Sequence, residues 1–161
     1  MRAFIAIELP EEVKERLLWI QKSLGKVDKA PGWVKKPGMH LTLKFLGEIS
    51  EAKAKEIGEA LNRDLSSFKP FELRTKSLAL NSRHMLWVTF KESKELQKLK
   101  DKIETGLESV GVARDKKPYT PHLSLRRIKK KEHLLRVKKA LSSIETDQEI
   151  RFSVRGTLLI E

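Results

Sequence analysis

The sequence of 161 residues contains no cysteine, and this absence excludes disulfides, thiol nucleophiles and thiolate metal sites. No apolar run approaches the length that crosses a bilayer, and the opening apolar stretch is too short for a secretory signal. A glycine-rich phosphate-binding loop is also missing, so ATP-driven chemistry has no evident site. We therefore expect a cytoplasmic protein without a membrane association.

Acidic residues are in the minority. The chain carries 34 Lys and Arg against 22 Asp and Glu, which gives a formal net charge of +12. A basic protein attracts polyanions, of which nucleic acid is the commonest in cytoplasm. The alternative is a solvated, lysine-rich surface, because abundant Lys and Glu with few Asn and Gln also indicate a thermophilic source. Much of the excess flanks His122 and favours a phosphate-bearing ligand there. It lies at Lys116-Lys117, Arg126-Arg127, Lys129-Lys130-Lys131, Arg136 and Lys138-Lys139.

Histidine is also scarce, yet two of the four histidines begin the same short pattern. These are motif 1, His40-Leu41-Thr42-Leu43, and motif 2, His122-Leu123-Ser124-Leu125. In an extended strand the histidine and the hydroxyl residue of each motif share one face, and the leucines share the other, joined in motif 1 by Phe45. Pro121 favours extended geometry just before motif 2. Either motif alone is explained by an amphipathic strand, but the duplication favours a paired site.

The rest of the chain predicts strands and helices in two similar halves. Strands are predicted over 2–9, from motif 1 to Gly47, from Phe71 to Thr75, over 85–90, at motif 2, and at 150–154 and 158–160. Helices are predicted from Pro10 to Gly25, after the capping residues Ser50 and Ser93, and over 131–141. Because strand pairs also follow one another directly, the predicted fold class is α+β with mainly antiparallel sheets and outer helices. No linker divides residues 1–161, so we predict a single domain of two pseudo-symmetric lobes, with motif 40–43 in one and motif 122–125 in the other.

Three residues outside the motifs are assigned by their local context. His84, beside the predicted turn 81–83, and His133, in the last predicted helix, are expected on the surface. Trp33, in the Lys-, Pro- and Gly-rich loop 25–38, is expected to pack on the core rather than to touch a substrate.

Three segments, 2–7, 40–47 and 121–127, resemble the 2H phosphoesterases, specifically the RNA 2′,3′-cyclic phosphodiesterase branch, also called 2′-5′ RNA ligases. This resemblance implies two lobes with a water-filled cleft between them. It also implies an RNA that ends in a 2′,3′-cyclic phosphate as the substrate, with tRNA fragments as candidates. Ser124 departs from the family pattern, in which threonine is commoner. Family members also continue beyond the strand that ends here near Ile160, so we expect one incomplete sheet edge in a naturally short or shortened chain.

The residue types themselves support such chemistry. Opening a cyclic phosphodiester needs a base that takes a proton from water and an acid that protonates the departing oxygen. His40 and His122 can do both, because imidazole titrates near neutrality. Thr42 and Ser124 would donate hydrogen bonds to the non-bridging oxygens, where negative charge accumulates. The resemblance implies that His40 is the acid, that His122 is the base, and that a 2′-phosphate remains. A 5′-hydroxyl in place of water would form a 2′-5′ link.

Two residues five positions beyond the motif histidines are the candidate substrate-binding residues. The family position favours Arg127 as the phosphate-binding arginine, although a regular strand puts Arg126 on the histidine face. Either a bulge intervenes or the two arginines share the task. Phe45 has the same offset from His40; the resemblance implies that it stacks on the terminal base, and the alternative is a core aromatic. Lys44 is expected near the cleft mouth.

No metal site is predicted, because no third His, Cys or carboxylate lies at ligand spacing beside the motif histidines. No cofactor is expected, and the protein is expected to be a monomer. Two alternative functions remain. One is a non-catalytic module that binds AMP or RNA ends in the same cleft, and the other is a cyclic phosphodiesterase that acts on small nucleotides.

Overall fold

The computed structural model describes residues 1–25, 31–143 and 149–161. In chain order the elements are β1 (Arg2–Glu8), α1 (Glu11–Gly25), β2 (His40–Glu48), α2 (Glu51–Asp64), β3 (Phe71–Leu80), β4 (Met85–Phe90), α3 (Lys94–Glu108), β5 (His122–Arg127), α4 (Lys131–Ser143), β6 (Arg151–Val154) and β7 (Leu158–Ile160). One turn of 3-10 helix, Lys36–Gly38, precedes β2. Residues 26–30 of the predicted loop 25–38 lie outside the described residues.

The strands form two sheets in which neighbouring strands are antiparallel. The first sheet has the order β2-β1-β7 and the second the order β5-β4-β3-β6. The predicted α+β class with antiparallel sheets is confirmed. The succession strand, helix, motif strand, helix occurs twice, as β1-α1-β2-α2 and as β4-α3-β5-α4. In each half the motif strand pairs with the first strand of the succession, β2 with β1 and β5 with β4.

The helices begin where the sequence predicted. Ser50 and Ser93 each accept a hydrogen bond from the backbone N–H three residues on, at 3.1 and 3.2 Å. Glu11 and Glu12 occupy the first turn of α1, where carboxylates meet the positive end of the helix dipole. Each serine cap satisfies one of the backbone donors that the start of a helix leaves unpaired.

Buried aliphatic side chains from both sheets and all four helices form one core cluster. Trp33 is half-buried and packs against this cluster, as its position in a loop beside β2 predicted. Among the described residues, no helix is both long enough and apolar enough to span a bilayer.

The two histidines outside the motifs differ in exposure. His84 is exposed, as predicted, and has a left-handed backbone with φ of 60° in the turn before β4. The prediction for His133 was wrong, because its side chain is only 19% exposed. Its position in α4 explains the difference: it lies four residues before the buried Val137, so it flanks the buried face of the helix.

Candidate active site

A β-bulge interrupts the first motif strand. In the pairing of β1 with β2, Ala6 lies opposite Thr42 and Ile5 lies opposite Lys44, so Leu43 has no opposite residue. Such an extra residue moves the side chains that follow it to the other face of the strand, here as far as a second register shift at Leu46. The alternation that the sequence predicted for β2 therefore holds only as far as Leu43.

The bulge changes the environment of the next two residues. Phe45 lies opposite Phe4, which shares a face of β1 with the partners of Thr42 and His40. Phe45 is therefore on the histidine face and 74% exposed, which corrects both its predicted placement with the leucines and the alternative of a core aromatic. Lys44 borders the pocket described below, near which it was expected, but it is only 3% exposed and its ammonium contacts the buried Glu104.

The second motif strand carries a bulge at the same offset. Ser124 lies opposite Trp87 and Arg126 lies opposite Leu86, so Leu125 is the extra residue. Arg127, opposite Met85, consequently shares the face of the motif 2 histidine and hydroxyl. Of the two alternatives that the sequence left open, the structure shows the bulge. Arg126 is 1% exposed, with its guanidinium carbon 4.8 Å from the centre of the Trp33 ring.

The two motif strands border a common pocket of about 490 Å³. Thr42 and Phe45 line it from β2, and His122 lines it from β5. His40 and Ser124 do not line this pocket, but each lies on the same strand face as a lining residue. A larger cavity of about 830 Å³, between the start of α1 and the β6–β7 connection, contains none of the six predicted site residues.

The segment before motif 2 joins the two sides of this pocket. The Tyr119 hydroxyl donates a hydrogen bond of 2.8 Å to the backbone carbonyl of Thr42. Burial raises the pKa of Tyr119, so the hydroxyl stays protonated and remains a donor across the physiological range. This bond links motif 1 directly to the residue that stands three positions before His122.

The His122 ring is held by its own backbone and by an aromatic neighbour. Its Nδ1 lies 2.9 Å from the carbonyl oxygen of Thr120. Because a carbonyl oxygen can only accept, Nδ1 carries the proton in this contact, and Nε2 is the nitrogen that can exchange a proton with a ligand. The Trp87 ring lies 4.6 Å from the imidazole, centre to centre, and restricts its orientation.

The His40 ring is half-buried beside Phe4, with 6.0 Å between the ring centres. Burial lowers the pKa of His40, and the positive charge of Lys14 lowers it further, while Glu8 opposes the shift. Without a ligand, the neutral form of His40 is therefore favoured.

A buried ionic cluster supports the motif 1 bulge. The Lys100 ammonium, from α3, donates 2.7 Å hydrogen bonds to the Leu43 carbonyl, to Glu104 and to Asp115. The Lys44 ammonium contacts Glu104 at 2.9 Å and Asp115 at 2.8 Å. Burial by itself would raise the pKa of Asp115, but the hydrogen bonds from the two lysines outweigh it and lower the pKa. The cluster joins β2, α3 and the segment before motif 2.

A different set of contacts supports the motif 2 bulge. The Leu125 carbonyl accepts a hydrogen bond from the Gln21 side chain of α1 at 3.2 Å and one from the Val34 backbone at 2.9 Å. The Arg127 backbone N–H donates to the Gly32 carbonyl at 3.2 Å. Gly32 has φ of 108°, and a Cβ there would lie 2.5 Å from the Arg127 carbonyl oxygen, so this close approach requires glycine.

Sequence reasoning missed the aromatic surroundings of the two histidines. Phe4 beside His40 and Trp87 beside His122 each come from the strand paired with the motif strand. Both lie in strands that the sequence predicted, so knowledge of how these strands pair with the motif strands would have placed them beside the histidines. The Tyr119 contact depends on two segments far apart in the chain and has no local signal.

Within the described ranges, no group of three or more His, Asp or Glu side chains is arranged to hold a metal ion. The six predicted site residues are thus distributed over two strand faces that border one pocket.

Comparison with known proteins identifies the family of this chain. The profile of the 2′-5′ RNA ligase superfamily matches residues 10–161. A Thermotoga maritima protein named RNA 2′,3′-cyclic phosphodiesterase is 35% identical over 133 residues, which are 80% of this chain and 71% of the relative. A protein of the same name from Methanocaldococcus jannaschii is 34% identical over 133 residues, covering 80% of this chain and 72% of that protein.

Solved structures show the same fold. A Thermus thermophilus protein superposes with a TM-score of 0.75 at 23% identity, covering all (100%) of this chain and 88% of the other. Escherichia coli LigT, crystallised with 3′-AMP, gives a TM-score of 0.70 at 22% identity over 98% of this chain and 86% of LigT. The family and the kind of hydrolase that the sequence predicted are confirmed by these matches. With a profile match over residues 10–161 and relatives at 34% and 35% identity, the chain belongs to the 2′-5′ RNA ligase superfamily.

Proposed function

We propose that this protein hydrolyses RNA 2′,3′-cyclic phosphate ends to 2′-phosphates, using His40 and His122 as general acid and general base. The observation that carries the proposal is the repeated bulge. In both motif strands it follows a histidine and a hydroxyl residue, and it brings the residue five positions beyond the histidine onto the histidine face. Membership in the superfamily and the names of the curated relatives support the same reaction.

The chemistry follows from the groups on these two faces. The base removes a proton from water, whose oxygen attacks phosphorus and forms the new P–O bond in line with the departing 3′-oxygen. The P–O3′ bond breaks, and the acid protonates the 3′-oxygen, so the 2′-phosphate remains. Thr42 and Ser124 donate hydrogen bonds to the non-bridging oxygens as negative charge accumulates. Arg127 adds a bidentate cation to the same oxygens.

The contacts of His122 fit the base role. With Nδ1 protonated against the Thr120 carbonyl, the neutral ring has its lone pair on Nε2, where a base needs it. The acid role requires a protonated His40, whereas burial lowers the pKa of His40 in the free protein. An anionic phosphate beside His40 favours the protonated form and raises its pKa, so we infer that substrate binding itself converts His40 to its acidic form.

Phe45 provides the base-binding surface in this proposal. Its ring is 74% exposed on the histidine face and lies in the lining of the common pocket, so a terminal base can stack on it. With a 5′-hydroxyl in place of water, the same groups would form a 2′-5′ link reversibly. We further infer a metal-independent reaction and a cytoplasmic monomer, with tRNA fragments among its candidate substrates.

One assay tests the proposal. The protein is incubated, with a metal chelator present, with an RNA that ends in a 2′,3′-cyclic phosphate, and the terminal phosphate of the product is identified. His40→Ala and His122→Ala are expected to lower kcat by at least about 100-fold each, since general acid–base catalysis contributes that much or more. His84→Asn is the matched control, because His84 is exposed outside the site and asparagine tolerates its left-handed backbone.

The outcomes separate the candidate functions. Turnover that survives both motif substitutions contradicts the histidine mechanism, and turnover that is lost with the chelator contradicts metal independence. Tight binding of the RNA end without turnover supports the non-catalytic module instead. Equal kcat/KM for RNA and for a mononucleotide cyclic phosphate supports an enzyme of small cyclic nucleotides.

A further inference from the structure

The segment 115–119, between α3 and β5, is held by hydrogen bonds at both ends beside the common pocket. At one end Asp115 accepts hydrogen bonds from the buried Lys44 and Lys100 at 2.8 and 2.7 Å. At the other end the Tyr119 hydroxyl donates to the Thr42 carbonyl at 2.8 Å. The backbone of the residues between these two anchors is therefore held close to motif 1.

Lys116 and Lys117 occupy this anchored segment and both line the pocket that contains Thr42, Phe45 and His122. Both lysines are exposed. Within the described ranges neither ammonium lies in an ion pair, whereas the nearby Asp115 carboxylate is already engaged by two buried lysines. The mouth of the pocket therefore carries two positive charges that no carboxylate in the described part of the chain neutralises through an ion pair.

We propose that Lys116 and Lys117 form a subsite for the phosphodiester groups of RNA on the 5′ side of the terminal nucleotide. The inference rests on the proposed function, since it presumes that a terminal cyclic phosphate occupies the pocket. A terminal nucleotide with its base on Phe45 must continue, through its 5′ phosphate, out of the pocket. Each of the two ammonium groups at the mouth can bind one singly charged phosphate of the RNA backbone, because lysine interacts with phosphate as a point charge.

The subsite predicts a preference for oligonucleotides over mononucleotides. A mononucleotide cyclic phosphate has no phosphodiester to reach the lysines, whereas an oligonucleotide has one per added residue. The double variant Lys116→Gln/Lys117→Gln removes both charges from exposed positions. We expect it to lower the ratio of kcat/KM for oligonucleotide to kcat/KM for mononucleotide by about tenfold at low salt, as two exposed ionic contacts would.

Salt dependence gives an independent measure. Each phosphate contact on a single strand contributes about 0.7 to the slope of log affinity against log salt concentration. Loss of two contacts should therefore reduce the slope for the oligonucleotide by about 1.4 in the double variant. Lys94→Gln/Lys98→Gln is the matched control, because it removes the same charge from two exposed lysines on α3, outside the pocket lining. It should change neither the ratio nor the slope.

The experiment measures kcat/KM for adenosine 2′,3′-cyclic monophosphate and for a short RNA that ends in the same nucleotide, over a range of salt. Dissociation constants for the RNA 2′-phosphate and for adenosine 2′-monophosphate are measured in parallel. A selective loss on the oligonucleotide supports the subsite. Equal losses on both substrates, or an equal effect of the control pair, overturn it. If the wild-type protein turns over neither substrate, the proposed function fails, and the ratio of the two dissociation constants alone decides whether the lysines bind RNA.

Discussion

The buried cluster beside motif 1 allows a quantitative test of how the fold holds its site. Lys44 and Glu104 are 3% and 4% exposed, and their charged groups lie 2.9 Å apart. Lys44→Met keeps the length and the apolar stem of the side chain but removes the charge. Glu104→Gln keeps the shape and one carbonyl oxygen, and it removes the opposite charge. Together they convert a cluster of two cations and two anions into one of each.

The expected magnitudes follow from burial. Removing one partner of a buried pair leaves an uncompensated charge and costs about 3–5 kcal/mol. Here Lys100 remains to face Glu104, and the Asp115 side chain is 43% exposed, so we expect the lower end, about 3 kcal/mol, for Lys44→Met. The double variant restores electrical balance. Its loss should be smaller than the sum of the single losses by about 0.5–3 kcal/mol, as for other contacting pairs.

The assay is urea unfolding at neutral pH for the wild type, the two single variants and the double variant. Lys36→Met is the control, because the Lys36 ammonium also meets two carboxylates, Glu11 and Glu15, each at 2.7 Å, but at the surface. The contact distances of Lys36 resemble those of the buried Lys44, but Lys36 is partly exposed to solvent. A much smaller loss of stability is expected for this control, since water screens the interaction.

Two results would refute the reasoning. Additive losses in the double variant would mean that Lys44 and Glu104 stabilise the fold independently rather than as a pair. A loss for Lys36→Met equal to that for Lys44→Met would mean that contact geometry, and not burial, sets the magnitude.

Three further predictions concern single residues near the site. Gly32→Ala should destabilise the fold by about 1–3 kcal/mol, because the left-handed φ and the approach to the Arg127 carbonyl both oppose a side chain. Gly58→Ala inside α2 has open space around the new methyl group and should stabilise the fold by about 0.5–1 kcal/mol. Thermal unfolding that ranks the two variants in the reverse order contradicts this prediction. Phe45→Leu should raise KM for RNA about fivefold or more, since stacking contributes at least about 1 kcal/mol. Stability should change little, because the ring is 74% exposed. A loss of stability as large as that of a core substitution would argue against a binding role. NMR titration should give a pKa for His40 below that of ordinary histidine, and 2′-AMP should raise it. Because the folded protein binds this proton more weakly than the unfolded chain does, the stability that His40 contributes is complete above the ordinary pKa and is lost as the pH falls through the lowered one; a raised pKa in the free protein would contradict this account.

The sequence by itself determined the local structure and the reactive groups. Alternation of apolar and polar residues predicted the strands, and the serine caps predicted where α2 and α3 begin, because both signals depend on neighbours within a few residues. The duplicated histidine motif also identified the two strands that border the pocket. No contact between distant segments was needed for any of these predictions.

Only the tertiary structure decided which side chains accompany the histidines. Strict alternation grouped Phe45 with the leucines and left Arg126 and Arg127 as alternatives, because it assumes an uninterrupted strand. The bulges that reverse this alternation expose the Leu43 and Leu125 carbonyls to donors that come from elsewhere in the fold. Those donors, Lys100 and Gln21, stand 57 and 104 residues away along the chain, so the faces of the site are set by contacts that no local pattern contains.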